Sequence, residues 1–83
     1  MTEPSVDARA LIEHIAKALV ETKDAVFLDE YEDGDETVIE LEVAETDLGR
    51  VIGRSGRVAR ALRTVLNAAG MKNDKRYALE IIE

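Results

Sequence analysis

Val51-Ile52-Gly53-Arg54-Ser55-Gly56-Arg57-Val58-Ala59-Arg60-Ala61-Leu62-Arg63 decides how this chain is read. An apolar pair runs into two glycines three apart, and a basic amphipathic segment follows. Two glycines at that spacing let the backbone turn sharply and let a second backbone come close, since neither carries a Cβ. Ser55 suits an N-cap, so a helix is expected to begin just after it. The first N–H groups of such a helix lack intrahelical partners and favour an anion. With Arg54 and Arg57 beside the spot, this is the chemistry of a grip on a phosphate backbone.

The overall charge argues the other way and the charge distribution answers it. The 83 residues carry a net charge of −7, which taken alone disfavours nucleic acid. From Leu48 to Asn73, however, there is no Asp or Glu, while Arg50, Arg54, Arg57, Arg60, Arg63 and Lys72 all fall inside that window. Local sign matters more than the sum when a polyanion docks. Modest affinity with strong salt dependence is therefore expected. The length makes one domain with a small core. Without cysteine there is no disulfide framework and no thiolate chemistry, which suits a reducing cytoplasm. The polar, acidic start Met1-Thr2-Glu3-Pro4 is not a signal peptide, and no apolar run approaches membrane-spanning length.

Outward from the central stretch, the chain alternates helical and strand periodicities. Residues 1–5 read as a tail, and residues 6–83 as the domain. Ala8, Leu11, Ile12, Ile15, Ala18 and Leu19 recur at helical spacing from Val6 to about Glu21, with Asp7 placed to suit the dipole. Thr22-Lys23-Asp24 breaks that helix. Ala25 to Tyr31 reads as a strand, Glu32-Asp33-Gly34-Asp35 as a hairpin turn, and Thr37 to Val43 as a second strand. There Ile39, Leu41 and Val43 face one way and Glu40 and Glu42 the other. Thr46 and Asp47 offer a cap for a short helix over Leu48–Ile52, ended by Gly53. The helix after Gly56 is expected to run to about Ala69, with Val58, Ala59, Leu62, Val65, Leu66 and Ala69 as its core face and Gly70 as its stop. Arg76 to Ile82 is the last strand. The order helix–strand–strand–helix–helix–strand is an α+β domain, with helices packed on one face of a three-stranded sheet.

Each notable residue has a plainer reading beside it. His14 stands alone with no second ligand or nucleophile marked, which favours a surface residue over acid–base work. The acidic hairpin lacks the spacing and distal Glu of a calcium loop and reads as a solvated turn. Glu40 and Glu42 read as solubilising and edge-protecting rather than catalytic. Gly53 and Gly56 alone would also serve a tight interhelical turn, and Arg60 and Arg63 a solvated helix face. Neither a P-loop nor a dinucleotide fingerprint is present. No nucleophile–base pair, metal cluster or cofactor motif points to an enzyme.

Taken together, the apolar pair, the Gly-x-x-Gly turn, the spaced apolar helix after it and the element order resemble a KH domain of the bacterial type II form. The run from Val51 through Leu62-Arg63-Thr64-Val65 is similar to the small single-domain KH proteins of the KhpA (YlqC-like) family. The resemblance covers about Leu11 to Glu83. It implies single-stranded RNA bound in a groove, with Gly53-Arg54-Ser55-Gly56 clamping about four backbone nucleotides. It places Val51, Ile52 and Val58 or Ala59 on an apolar floor, with the strand Ile39–Val43 closing the groove. The chemistry of the loop agrees: the backbone N–H groups of Gly53 to Arg57, with Arg54, would hold phosphates and sugars, and Arg50, Arg57 and Arg60 stand where they could reach phosphate too. No cofactor or metal is implied. Backbone contacts position without specifying sequence, and no aromatic lies near the loop for base stacking. Ala59 stands where many KH domains carry a larger aliphatic residue. The family further implies RNA-chaperone behaviour of low sequence preference, in bacterial cells, as homodimers or with a larger KH-containing partner of the KhpB (Jag) type. Four arginine–phosphate contacts would give a salt slope of roughly −3, at about −0.7 each. The alternative is an interaction and dimerisation module on a KH scaffold, with RNA binding residual or partner-dependent and the exposed Ile82 strand as a candidate surface.

Overall fold

The strand that alternates apolar and acidic residues forms the middle of the sheet. In the computed structural model, which describes residues 5–83, β2 (Glu36–Glu42) lies between β1 (Phe27–Asp33) and β3 (Arg76–Ile81). It pairs antiparallel with β1, Leu28 opposite Leu41, and parallel with β3, Ile39 opposite Leu79. Ile39 and Leu41 are fully buried on one face, where α1 (Ala8–Leu19) and α3 (Arg57–Asn73) cover the sheet. Ile12, Ala16, Leu62, Leu66 and Ala69 supply the helical half of that core. The architecture is α+β in the expected order, with the short α2 (Leu48–Ile52) preceding α3.

A parallel pair cannot be joined by a hairpin and needs a crossover. Here α2, the glycine turn and α3 together make that crossover between β2 and β3. The chain leaves β2 at its C-terminal end, so the glycine turn lies at the C-terminal ends of the two parallel strands. The acidic hairpin lies at the other end, beside the last turn of α3. Seventeen residues of α3 separate the two, about 25 Å at helical rise.

Several boundaries differ from the sequence expectation, each for a local reason. The hairpin turn uses only Gly34 and Asp35, so Glu32 and Asp33 stay paired and β1 runs to Asp33. A single 3₁₀ turn, Lys23–Ala25, takes what was expected to start that strand. Glu40 and Glu42 do not guard an edge, because β2 is the central strand. The edge of β1 is instead met by Arg9, whose Nη2 donates to the Leu28 carbonyl at 3.1 Å. Gly70 does not stop α3. The helix continues to Asn73 and is capped by Asp74 in the left-handed region at φ 54. Gly70 is small because the chain folds back over it: a Cβ there would come within 2.5 Å of the Lys75 carbonyl oxygen. The start of α1 is capped by Asp7, which accepts from the Ala10 amide at 3.0 Å. Of the tail, residues 1–4, Pro4 included, lie outside the described residues. Val6 is already tied to the end of α3, its N–H and C=O both bonded to the Asn73 amide at 2.7 Å.

Candidate nucleic-acid interface

The turn between α2 and α3 is built by three residues in the left-handed half of backbone space. Gly53 sits at φ 77, ψ 170, Ser55 at φ 56, ψ 26, and Gly56 at φ 74, ψ 17. The Gly53 region is essentially closed to other residues. Space closes it as well, since a Cβ would lie 2.5 Å from a Val58 methyl and 2.8 Å from the Val58 nitrogen. Gly56 has no such crowding and is required by its angle alone. Ser55 does not cap α3. It lies inside a 3₁₀ turn over Arg54–Gly56, and the N-cap is Gly56, with no side-chain capping bond. Two glycine-type turn residues in succession tighten the loop by one step beyond the expected serine cap.

That winding decides which amides face outward. The Gly53 carbonyl accepts from the Gly56 amide at 3.1 Å, and the Arg54 carbonyl accepts from the Arg57 amide. Both oxygens therefore point into the turn. A trans peptide holds its N–H opposite its C=O, and no peptide bond among the described residues is cis. The N–H groups that share those two peptides belong to Arg54 and Ser55, and they point away from the turn. Two adjacent outward amides at the head of a 17-residue helix make a concentrated positive edge.

The arginines divide into different roles. Arg54 and Arg57 are exposed and make no ion pair among the described residues. Arg50 is committed elsewhere: Nη2 meets Glu21 at 2.7 Å and Nε meets Asp47 at 3.2 Å. Asp47 is only 2% exposed and does not cap α2 as expected. Its carboxylate instead accepts from the amides of Thr22 at 3.0 Å and Glu21 at 3.1 Å. Those amides, above all that of Thr22, together with the Arg50 charge, hold the Asp47 carboxyl below its ordinary pKa. Arg60 donates to the Ser55 carbonyl at 2.8 Å, and Arg63 reaches the Leu79 carbonyl at 3.5 Å.

Beside the loop lies a groove of about 250 Å³, lined by Ile52, Gly56, Ala59, Arg60, Arg63, Ile81 and Glu83. Its far wall is β3, not the Ile39–Val43 strand expected to close it, because β2 is central and β3 is the neighbour on that side. Val51 is not on the floor. It is 0% exposed and belongs to the core, one residue out of phase with Ile52. Val58 packs partly against the same core, under Gly53. Sequence reasoning missed Ile81 as a wall residue, since nothing local marks a parallel pairing. Phe27 and Tyr31 lie on the uncovered sheet face and Tyr77 near the end of α3, so no aromatic lines the groove. A larger cleft of about 710 Å³ lies at the opposite end, where Glu32, Asp35, Glu36 and Asp74 outnumber Lys75 and Arg76, a net negative setting that disfavours a polyanion. Those acids form no metal-holding cluster among the described residues. No helix among them is long and apolar enough to cross a membrane.

A helix–turn–helix crossover broken by Gly-x-x-Gly, set against the edge of a three-stranded sheet with one parallel pair, defines a KH domain of the type II element order. The chain belongs to the KhpA/KhpB KH-domain family, whose model matches residues 9–81. It is 52% identical over 73 residues to a protein of Aquifex aeolicus, covering 88% of this chain and 92% of that protein. It is 49% identical over 72 residues to one of Caldanaerobacter subterraneus, covering 87% and 96%. A third, of Borreliella burgdorferi, is 47% identical over 73 residues, covering 88% and 89%. All three carry the name RNA-binding protein KhpA. No solved structure matches the chain. The relatives are named for binding, and the family is not an enzymatic one.

Proposed function

We propose that this protein binds single-stranded RNA through its backbone, with Gly53-Arg54-Ser55-Gly56 as the clamp. The observation that carries this reading is the pair of outward amides at Arg54 and Ser55, flanked by the guanidinium groups of Arg54 and Arg57, which make no ion pair among the described residues. The relatives named as RNA-binding proteins support it. Phosphates meet the two amides and two arginines, while sugars and bases lie along Ile52, Ala59 and Ile81. Arg50 contributes less than its position suggests, because two carboxylates already neutralise it. The groove is narrow in chemistry: small aliphatic walls and no stacking aromatic. That supports low base preference and a chaperone-like use of the RNA contact, in which strands are held briefly and released.

The test is fluorescence anisotropy with a labelled single-stranded oligonucleotide, comparing the native chain with the Arg54→Asp, Ser55→Asp double variant. Circular dichroism checks that the fold is unchanged. Loss of binding in the folded variant establishes the clamp, and equal binding by both moves the site elsewhere.

A second reading concerns assembly, as a homodimer or with a larger KhpB-type KH protein. The uncovered sheet face supports it, with Phe27 59% and Ile82 43% exposed. Light scattering on the purified chain, alone and mixed with such a partner, tests it. A monomer under both conditions overturns it.

A further inference from the structure

Ser55 is held in the left-handed region, on an exposed loop, without the freedom of glycine. The group that holds it comes from outside the loop. Arg60, one turn into α3, donates from Nη1 to the Ser55 carbonyl oxygen at 2.8 Å. The same nitrogen would lie 3.5 Å from a Cβ on Gly56, so the guanidinium sits over that glycine. The peptide unit joining Ser55 to Gly56 is thus pinned at both ends. Its oxygen is bound by Arg60, and its N–H by the Gly53 carbonyl at 3.1 Å. This peptide sets ψ of Ser55 and φ of Gly56, the two successive left-handed residues of the loop. Tilting it away would loosen the Gly56–Gly53 bond, and with it the turn that aims the Arg54 and Ser55 amides outward.

We infer that Arg60 is a positioning residue for the loop and not a phosphate ligand: its guanidinium braces the Ser55–Gly56 peptide in the orientation that presents the two amides. The inference rests on the loop being the phosphate clamp. It separates Arg60 from Arg54 and Arg57, which lie on the same basic stretch but have no partner within the loop. A brace and a phosphate contact differ in salt dependence. Removing a phosphate contact releases one fewer counterion and makes the slope shallower by about 0.7. Removing a brace weakens binding equally at every salt concentration.

Arg60→Met keeps the apolar stem and removes both charge and donor. Arg60→Lys keeps the charge on a side chain one bond shorter. In the RNA-free protein, Arg60→Met is expected to lower the NMR order parameters of the Ser55 and Gly56 amides from the rigid range, about 0.85, toward about 0.6. The rest of α3 should be unchanged. With a labelled oligouridylate, the dissociation constant should rise about five-fold, the equilibrium worth of one exposed hydrogen bond, with an unchanged salt slope. A shallower slope with a loop as rigid as in the native chain overturns the proposal. So does native binding by Arg60→Lys when its loop has loosened, since charge alone would then suffice. If the native protein binds no oligouridylate at low salt, the clamp reading fails, and the order parameters decide the brace by themselves. Circular dichroism of both variants separates loop effects from unfolding.

Discussion

At the scale of single residues, three glycines in this chain do three different jobs. Gly53 needs both its backbone angle and its empty Cβ position, Gly56 only its angle, and Gly70 only its empty space. Gly53→Ala is therefore expected to cost about 3 kcal/mol or to prevent folding, the sum of a left-handed penalty and a clash with Val58. Gly56→Ala should cost about 1 kcal/mol. Urea unfolding of the two variants checks the order. Gly70→Ala tests a competition. Alanine is the better helix former by about 1 kcal/mol, but its Cβ meets a backbone oxygen that cannot rotate away. We expect the clash to win, with a net loss of about 1–2 kcal/mol. The spacing of the Gly53–Gly56 pair was legible in the sequence. The different reason for each glycine was not, because it depends on which atoms the fold brings alongside.

Among the secondary elements, the junction of α1 with α2 depends on Asp47. Its carboxylate joins the amides after α1 to Arg50 in the last turn of α2. The folded-state pKa lies below the ordinary value of 3.8. The stabilisation is therefore fully present above the unfolded pKa and is lost as pH falls from about 4 through the folded value. Unfolding midpoints measured from pH 6 down to pH 2 should show this loss in the native chain. Asp47→Asn should lower the midpoint at pH 6 and flatten the acid limb, because the titrating group is gone. An unchanged acid limb in the variant would place the linkage in other carboxylates. A helix-capping role was the natural reading of Thr46-Asp47 before Leu48. The carboxylate turns instead toward two amides that a break in α1 leaves without partners, and a local pattern carries no information about a partner 26 residues away.

Taken whole, the molecule keeps its free loop arginines and its acidic hairpin apart. Arg54 and Arg57 stand at the start of α3 and the hairpin beside its last turn, about 25 Å away along the helix. With Arg50 neutralised and Arg60 bound to the loop, two arginine contacts remain. The expected slope of log K against log salt is about −1.4 rather than −3, measurable by anisotropy across a salt series. Distance also sets what the hairpin can do. At 0.15 M salt the Debye length is about 8 Å, and at 0.01 M about 30 Å. Asp35→Asn with Glu36→Gln should therefore leave RNA affinity within about two-fold at the higher salt and raise it measurably at the lower. An equal effect at both would mean that the hairpin touches RNA directly.

What the sequence determined by itself was everything governed by short-range periodicity and local charge. The alternation of Ile39, Leu41 and their glutamate neighbours sets a strand with one wet face. The spacing of Ala59, Leu62, Leu66 and Ala69 sets the buried stripe of α3. The two glycines with an acid-free surround mark the loop. Tertiary structure alone decided that β2 is central and β3 flanks the groove, that Val51 is core while Ile52 is wall, and that Asp47 and Arg60 hold other parts of the chain. The physical reason is range. Periodicity and turn chemistry act within a few residues. Parallel pairing, close approach over Gly70 and the choice among five nearby arginines depend on groups that meet only after the crossover has folded.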